Sequence, residues 1–394
     1  MPRRPVLTLA TSTDTPPVGR RSRLPRLLAT LAWPALVLAG GALVALTVYP
    51  NPHSAAPPGR QVIASLPYWS LDHGTGTVLS NRRTFTEVSP WIYGLDDSGR
   101  IVAQYSPGQA AAVAGQLGQL RAAGVPIVPT IANITHGNWS YHPVARVLHN
   151  PALMARHIAA IVALVEEHRY AGIDIDYEDL RASDRAAFTS FVTRLAATLH
   201  AKGKTLSVAL FAKTTNAGTD PRNIAQDYAA IGRAADQVRL MCYDYHWTTS
   251  PPGPIAPIWW VREVVRYAKT QIPAHKIILG IPLFGYDWVG HKAIPVSWLQ
   301  AFRLATEHHV RLHFEASSQA PWFDYTDKAG RKHQVWFENV PSSKAKFGVA
   351  LGSGVGGVYL WIYGYEDTGT WAALRHTLPI ARHSAHPPAS RPTP

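Results

Sequence analysis

Nine residues, Tyr170-Ala171-Gly172-Ile173-Asp174-Ile175-Asp176-Tyr177-Glu178, constrain this chain more than any other stretch. They alternate with a period of two. A β-strand built from them turns Asp174, Asp176 and Glu178 to one face and Ile173, Ile175 and Tyr177 to the other. Carboxylates this close cannot all ionise in a low-dielectric site, so at least one is expected to keep its proton near neutral pH, as a general acid must. Two other readings suit the same residues. One is a strand end emerging into water, where the acids hydrate; the other is a site for Mg²⁺ or Ca²⁺, which oxygen ligands favour.

The 394 residues suffice for one large domain or two ordinary ones. A lone cysteine, Cys242, excludes an internal disulfide framework, so stability must come from a packed core. The formal net charge of +13 suggests nucleic acid only until it is located. Residues 1–60 hold seven Arg against Asp14, and Arg382 and Arg391 lie near the C-terminus. About +5 is left for the body, so no nucleic-acid partner is expected.

Leu27 to Tyr49 carries no charge and is long enough to cross a hydrocarbon core of ~30 Å. Arg3, Arg4, Arg20, Arg21, Arg23 and Arg26 precede it, which by the positive-inside bias keeps residues 1–26 in the cytoplasm. The expectation is an uncleaved transmembrane signal-anchor at 27–49, with the rest of the chain outside the cell membrane. Secretion after cleavage is the alternative, its small-residue site in His53-Ser54-Ala55-Ala56 being followed directly by Pro57.

Residues 50–60 read as a linker, and beyond them strands and helices alternate. Strands are expected at Gln61–Trp69, Glu87–Leu95, Pro126–Ile131, the acidic stretch, Leu206–Ala212, Gln237–Tyr243, Lys276–Pro282 and Gly357–Trp361. Helices are expected at Ser106–Ala123, Ala152–Arg169, Ser183–Lys202 with Ser183 as N-cap, Asn223–Ala235 and Pro257–Thr270. Eight such units argue for an α/β fold, a closed (β/α)8 TIM barrel over 61–378, with its chemistry at the C-terminal strand ends. Asn133, Glu178, Tyr243, Asp244 and Trp361 fall at such ends.

Residues 288–346 are too long for a loop between the seventh and eighth strands. The segments Ala320–Tyr325 and His333–Glu338 flank Asp327-Lys328-Ala329-Gly330 and read as a hairpin in a small α+β insertion. Residues 379–394, rich in Pro, Ser and His, are expected to form a disordered tail.

Gly172-Ile173-Asp174-Ile175-Asp176-Tyr177-Glu178 resembles the Asp-Gly-x-Asp-x-Asp-x-Glu signature of glycoside hydrolase family 18, the chitinase-like (β/α)8 enzymes. Met241-Cys242-Tyr243-Asp244, Gly280-Ile281-Pro282-Leu283-Phe284-Gly285 and Gly356-Gly357-Val358-Tyr359-Leu360-Trp361 are similar to the family's later motifs, in order. Tyr243-Asp244-Tyr245-His246, Trp336-Phe337-Glu338 and Glu366-Asp367 resemble the bacterial branch of spore-cortex and cell-wall N-acetylglucosaminidases. One departure stands out: Ala171 occupies the place of the first Asp, which in the family lies deep in the barrel and steadies the next carboxylate.

The resemblance implies hydrolysis of β-1,4 bonds in N-acetylglucosamine-containing glycans, peptidoglycan ahead of chitin, with the substrate's own 2-acetamido group as nucleophile. It makes Glu178 the acid and base, Asp176 the partner of the acetamido N–H, Asp174 the support of Asp176, and Tyr243 the donor to the acetamido oxygen. Trp361 would floor the sugar at the cleavage site. Trp69, Trp139, Trp247 and Trp288 are candidates for neighbouring subsites, each with ordinary packing as its alternative. Asp244 is assigned to the active-site network or to a structural role, and Asn133 to substrate or to a loop cap. Cys242 reads as a small buried hydrophobe. No cofactor is implied, and the 18 histidines show no zinc spacing. A non-catalytic lectin on the same barrel is the alternative from another class; it typically lacks the acid that Glu178 retains here. A metal-dependent transferase has no accompanying nucleotide pattern. No oligomeric state follows from the sequence.

Overall fold

The computed structural model describes residues 59–381 except Tyr363. The segment expected to span the membrane, 27–49, and residues 382–394 of the expected tail lie outside these residues. Among the described residues no single helix is long and apolar enough to cross a membrane.

Eight parallel strands close into a barrel: β1 (Gln61–Pro67), β2 (Glu87–Leu95), β3 (Thr130–Ala132), β4 (Gly172–Asp176), β5 (Thr205–Phe211), β6 (Gln237–Met241), β7 (Ile277–Pro282) and β8 (Gly357–Trp361). Each pairs with the next, and β1 pairs with both β2 and β8, so no edge is left open. The ring outside includes α1 (Leu71–Ser80), α2 (Ala110–Ala122), α3 (Pro151–Glu167), α4 (Arg185–His200), α5 (Tyr228–Ala234), α6 (Ile258–Gln271), α7 (Val340–Ser353) and α8 (Thr370–Thr377). The main core lies between strands and helices. There Ile173, Ile175 and Tyr177 of the acidic stretch meet Phe188 and Phe191 of α4, the outward half of the alternation.

Several expected boundaries move for local reasons. Pro107–Gln109 is a 3₁₀ turn that Ser106 closes with Gln109 in a capping box, so α2 starts later. Ser183 lies inside a second 3₁₀ turn and does not cap α4; the N-cap is Asp184, whose carboxylate accepts from the Arg181 N–H at 2.7 Å. The helix expected over Asn223–Ala235 is two, Pro221–Ala225 and α5, because Asp220 and Asp227 each cap their own start. The strand expected to reach Trp69 stops at Pro67, and that expected to reach Tyr243 stops at Met241.

After β7 the chain leaves the barrel at Phe284. It builds a five-stranded antiparallel sheet from Phe284–Val289, Lys292–Ser297, His313–Glu315, Ala320–Thr326 and Lys332–Trp336, backed by the helix Trp298–Glu307. Residues 340–346, expected within the insertion, belong to α7 of the barrel ring instead. Pro379 to Ala381, expected in the tail, is tied to Arg60: the Arg60 N–H donates to Pro379, and Ala381 donates back to Arg60.

Candidate active site

Inside the barrel the strands turn two kinds of side chain to the axis. Ile63, Ile278 and Tyr359 form an apolar wedge. Beside it, Glu87 and Ser89 from β2, Thr130 from β3, Asp174 from β4, and Gln237 and Arg239 from β6 make a buried polar floor. Asp174 Oδ2 accepts from Thr130 Oγ1 at 2.9 Å and lies 3.2 Å from Arg239 Nη1. The neighbours of β4 in register are small, Thr130 and Ala132 on β3 and Ser207 on β5, which leaves room for the carboxylates between them.

One step above Asp174 along the strand, Asp176 is 7% exposed. Its Oδ2 accepts from Trp91 Nε1 at 3.2 Å, and its Oδ1 has no hydrogen-bond partner among the described residues. Burial, then the charge of Asp174, pushes its pKa up to about 7, against the Trp91 hydrogen bond and Arg239. Glu178 follows two residues past the strand end and lines a cavity of about 760 Å³. Burial, then the Asp176 carboxylate and Asp244, hold its carboxyl well above the usual range, against the guanidinium of Arg222. A solvated strand end is therefore excluded. Among the described residues no three His, Cys, Asp or Glu side chains are grouped so as to hold a metal ion.

Tyr243, just beyond β6, lines the same cavity and packs edge-on against Phe284. Burial, with Tyr359, Asp176 and Glu178 nearby, pushes its hydroxyl pKa up, so it stays a proton donor. Its ring fits because residue 280 is glycine: a Cβ there would lie 2.4 Å from the Leu240 carbonyl and 3.1 Å from Tyr243 Cε1. Asp244 has a left-handed backbone, φ 57°, and accepts from Tyr286 OH at 2.8 Å. Asp244 is exposed on the cavity lining, where the surrounding protein, against that hydrogen bond, pushes its pKa up.

The aromatic candidates separate. Trp139 and Trp247 line the cavity. Trp69, 48% exposed, and Trp361, at the end of β8, both reach the site through edge-on contacts to Trp91, with ring centroids 5.7 and 6.4 Å away. Trp288 is no subsite: it is fully buried and packs on Tyr286. Asn133 is fully buried as well, so its substrate role gives way to the loop cap. Its Oδ1 accepts from the Glu178 N–H at 2.9 Å, and its Nδ2 donates to the carbonyls of Ser140 and Asp179, both at 3.2 Å. Cys242 is buried in the core.

The chain matches the sequence profile of glycosyl hydrolases family 18 over residues 103–366. The chain belongs to that family. It is 38% identical over 222 residues to YdhD of Bacillus subtilis, covering 55% of this chain and 52% of the relative. To the cortical fragment-lytic enzyme of Bacillus anthracis it is 33% identical over 258 residues, 64% of this chain and 60% of the relative. The chain thus spans about half to three fifths of the length of these curated relatives. The crystal structure of the Bacillus cereus spore cortex-lytic enzyme SleL superposes with a TM-score of 0.73 at 29% identity, over 82% of this chain and 75% of that one.

In the family-18 signature the first aspartate's place falls to Ala171, which precedes β4 and shares the parity of Ile173 and Ile175. That parity points away from Asp174, so Thr130 and Arg239 support Asp174 here. Two further residues around the site were not legible as such. Trp91 is one of two aromatics in β2, and only its inward parity with Glu87 and Ser89 hinted at the axis. Lys213, after β5, is 1% exposed and donates through Nζ to the carbonyls of Asn223 and Gln226 at 3.0 and 2.6 Å. It pins the 213–226 loop that carries Arg222 along the cavity wall, and burial holds its pKa down at about 8. No spacing in the sequence marks it.

Proposed function

We propose that this chain hydrolyses β-1,4 glycosidic bonds in N-acetylglucosamine-containing glycans by substrate-assisted catalysis. One observation carries the reading: Asp176 is buried with one carboxyl oxygen held by Trp91 and the other unpartnered among the described residues, on the face that leads to Glu178. A buried acceptor of that kind suits an amide N–H. In this reading Glu178 gives its proton to the glycosidic oxygen as the C1–O bond breaks. The acetamido carbonyl oxygen bonds to C1, forming an oxazolinium whose N–H rests on Asp176. The Glu178 carboxylate then takes a proton from water, water attacks C1, and the acetamido group is released. The raised carboxyl of Glu178 suits the first step, and Tyr243, kept protonated, suits the acetamido oxygen.

The relative named for lysis of cortical fragments supports peptidoglycan or its fragments ahead of chitin. The uncharged run 27–49 behind its arginines supports a membrane anchor with the catalytic barrel outside the cell. Protease protection of right-side-out and inverted vesicles tests that placement. Product analysis of the purified chain on N-acetylglucosamine oligomers and on peptidoglycan, beside Glu178→Gln, tests the activity. Cleavage by the parent with a loss of at least about 10²-fold in the variant is expected. Binding without cleavage by either protein would mark a lectin and overturn the reading.

A further inference from the structure

The polar floor of the barrel holds more negative than positive charge. Glu87, Asp174 and Asp176 are all buried, and among them stands one guanidinium, Arg239, itself 1% exposed. It reaches across from β6. Its Nη1 donates to Ser89 Oγ at 2.6 Å and lies 3.2 Å from Asp174 Oδ2, its Nη2 donates to Glu87 Oε1, and its plane covers the Tyr359 ring at 5.0 Å. The fork thus joins β2, β4, β6 and β8 at one point, on the strand face that also carries Asp176. Arginine cannot release its proton in a protein, so this is a fixed positive charge.

We propose that Arg239 is a positioning residue for catalysis. It holds Asp174 and Glu87 in a charge-paired floor, and as a fixed positive charge beside the acidic strand it favours the ionised form of Asp176 that accepts the acetamido N–H, leaving the exchangeable proton to Glu178. The inference rests on the catalytic reading above, and its physical core is independent of it. Other charges face the site too, Glu178, Asp244 and Arg222 at the cavity, and the neutral amide of Gln237 donates to Glu87 Oε2 at 3.0 Å. Asp176 also feels Arg239, which opposes the upward push of burial.

The test needs no substrate for its first arm. The full chain with ¹³C-labelled Asp carboxyls is titrated by NMR as parent, Arg239→Met, and Arg239→Met with Glu87→Gln. The double variant removes the Glu87 charge together with its partner, so that of the two carboxylates paired with Arg239 only Asp174, still held by Thr130, loses an ion pair, and a melting curve establishes that each variant is folded. Loss of the fixed charge should move the Asp176 midpoint up by roughly one unit. In the second arm, on N-acetylglucosamine oligomers, kcat should fall about tenfold or more with KM changed less than about threefold, and the acid limb of the pH profile should move up by the same unit. Arg239→Lys keeps the charge without the fork and should retain the Asp176 midpoint. A folded double variant whose Asp176 midpoint and pH profile match the parent, with lower melting temperature alone, assigns Arg239 to structure and overturns the proposal. If the parent cleaves no glycan, the catalytic reading fails while the titration still decides what Arg239 does.

Discussion

Trp91 Nε1 donates to Asp176 Oδ2 across 3.2 Å, binding the second barrel strand to the acidic one. The same indole meets Trp69, Trp139 and Trp361 edge-on. One side chain therefore fixes a carboxyl oxygen and gathers three aromatic rings around it.

Trp91→Phe keeps an aromatic ring and removes the N–H. Since that hydrogen bond holds the Asp176 pKa down, its loss raises the pH at which Asp176 ionises. Activity that needs ionised Asp176 appears only as pH rises through that point, so the acid limb of kcat/KM on N-acetylglucosamine oligomers should move to higher pH, with kcat about tenfold lower at neutral pH. An acid limb in the parent's place, in a folded variant, would show that the indole only packs.

Asn133→Ala removes three hydrogen bonds at a fully buried position and leaves the Glu178 N–H and two carbonyls unpaired. Stability should fall by about 1–3 kcal/mol in denaturant titration. With the loop that carries Glu178 loosened, kcat should fall more than glycan affinity. Equal losses in both would mean that Asn133 holds the fold and not the acid.

His157 is buried behind the acidic strand, its ring hydrogen-bonded to the Gly99 backbone and to Tyr177 OH at 2.7 Å. Burial, against the Gly99 hydrogen bond, holds its pKa down at about 4 from an unfolded 6.5. A depressed histidine is neutral in the fold and takes up its proton on unfolding, so its contribution is full above pH 6.5 and declines as pH falls toward 4. The loss amounts to about 3 kcal/mol. Melting curves from pH 7.5 to 4.5 should therefore fall more steeply for the parent than for His157→Gln, whose side chain does not titrate. Parallel curves would rule out this titration as a source of acid sensitivity.

The sequence by itself determined the acidic strand, its facing and its place in an eight-unit barrel. Period-two alternation and strand-helix alternation are local properties that survive any arrangement of the remaining chain. It also named Glu178, Asp176, Asp174 and Tyr243, because motif and strand end coincide. The face that carries Ile173, Ile175 and Tyr177, opposite the carboxylates, is the one that packs on α4. What supports those residues was decided only by closure of the barrel. Arg239 and Glu87 are 152 positions apart, and Trp91 and Asp176 are 85 apart. Neither pair leaves a mark in local periodicity, since parity within a strand says which side chains point to the axis and nothing of which ones meet there. Burial of Asn133 and Trp288 was hidden for the same reason. A residue type fixes what a side chain can do, and the tertiary environment fixes whether it faces substrate, water or core.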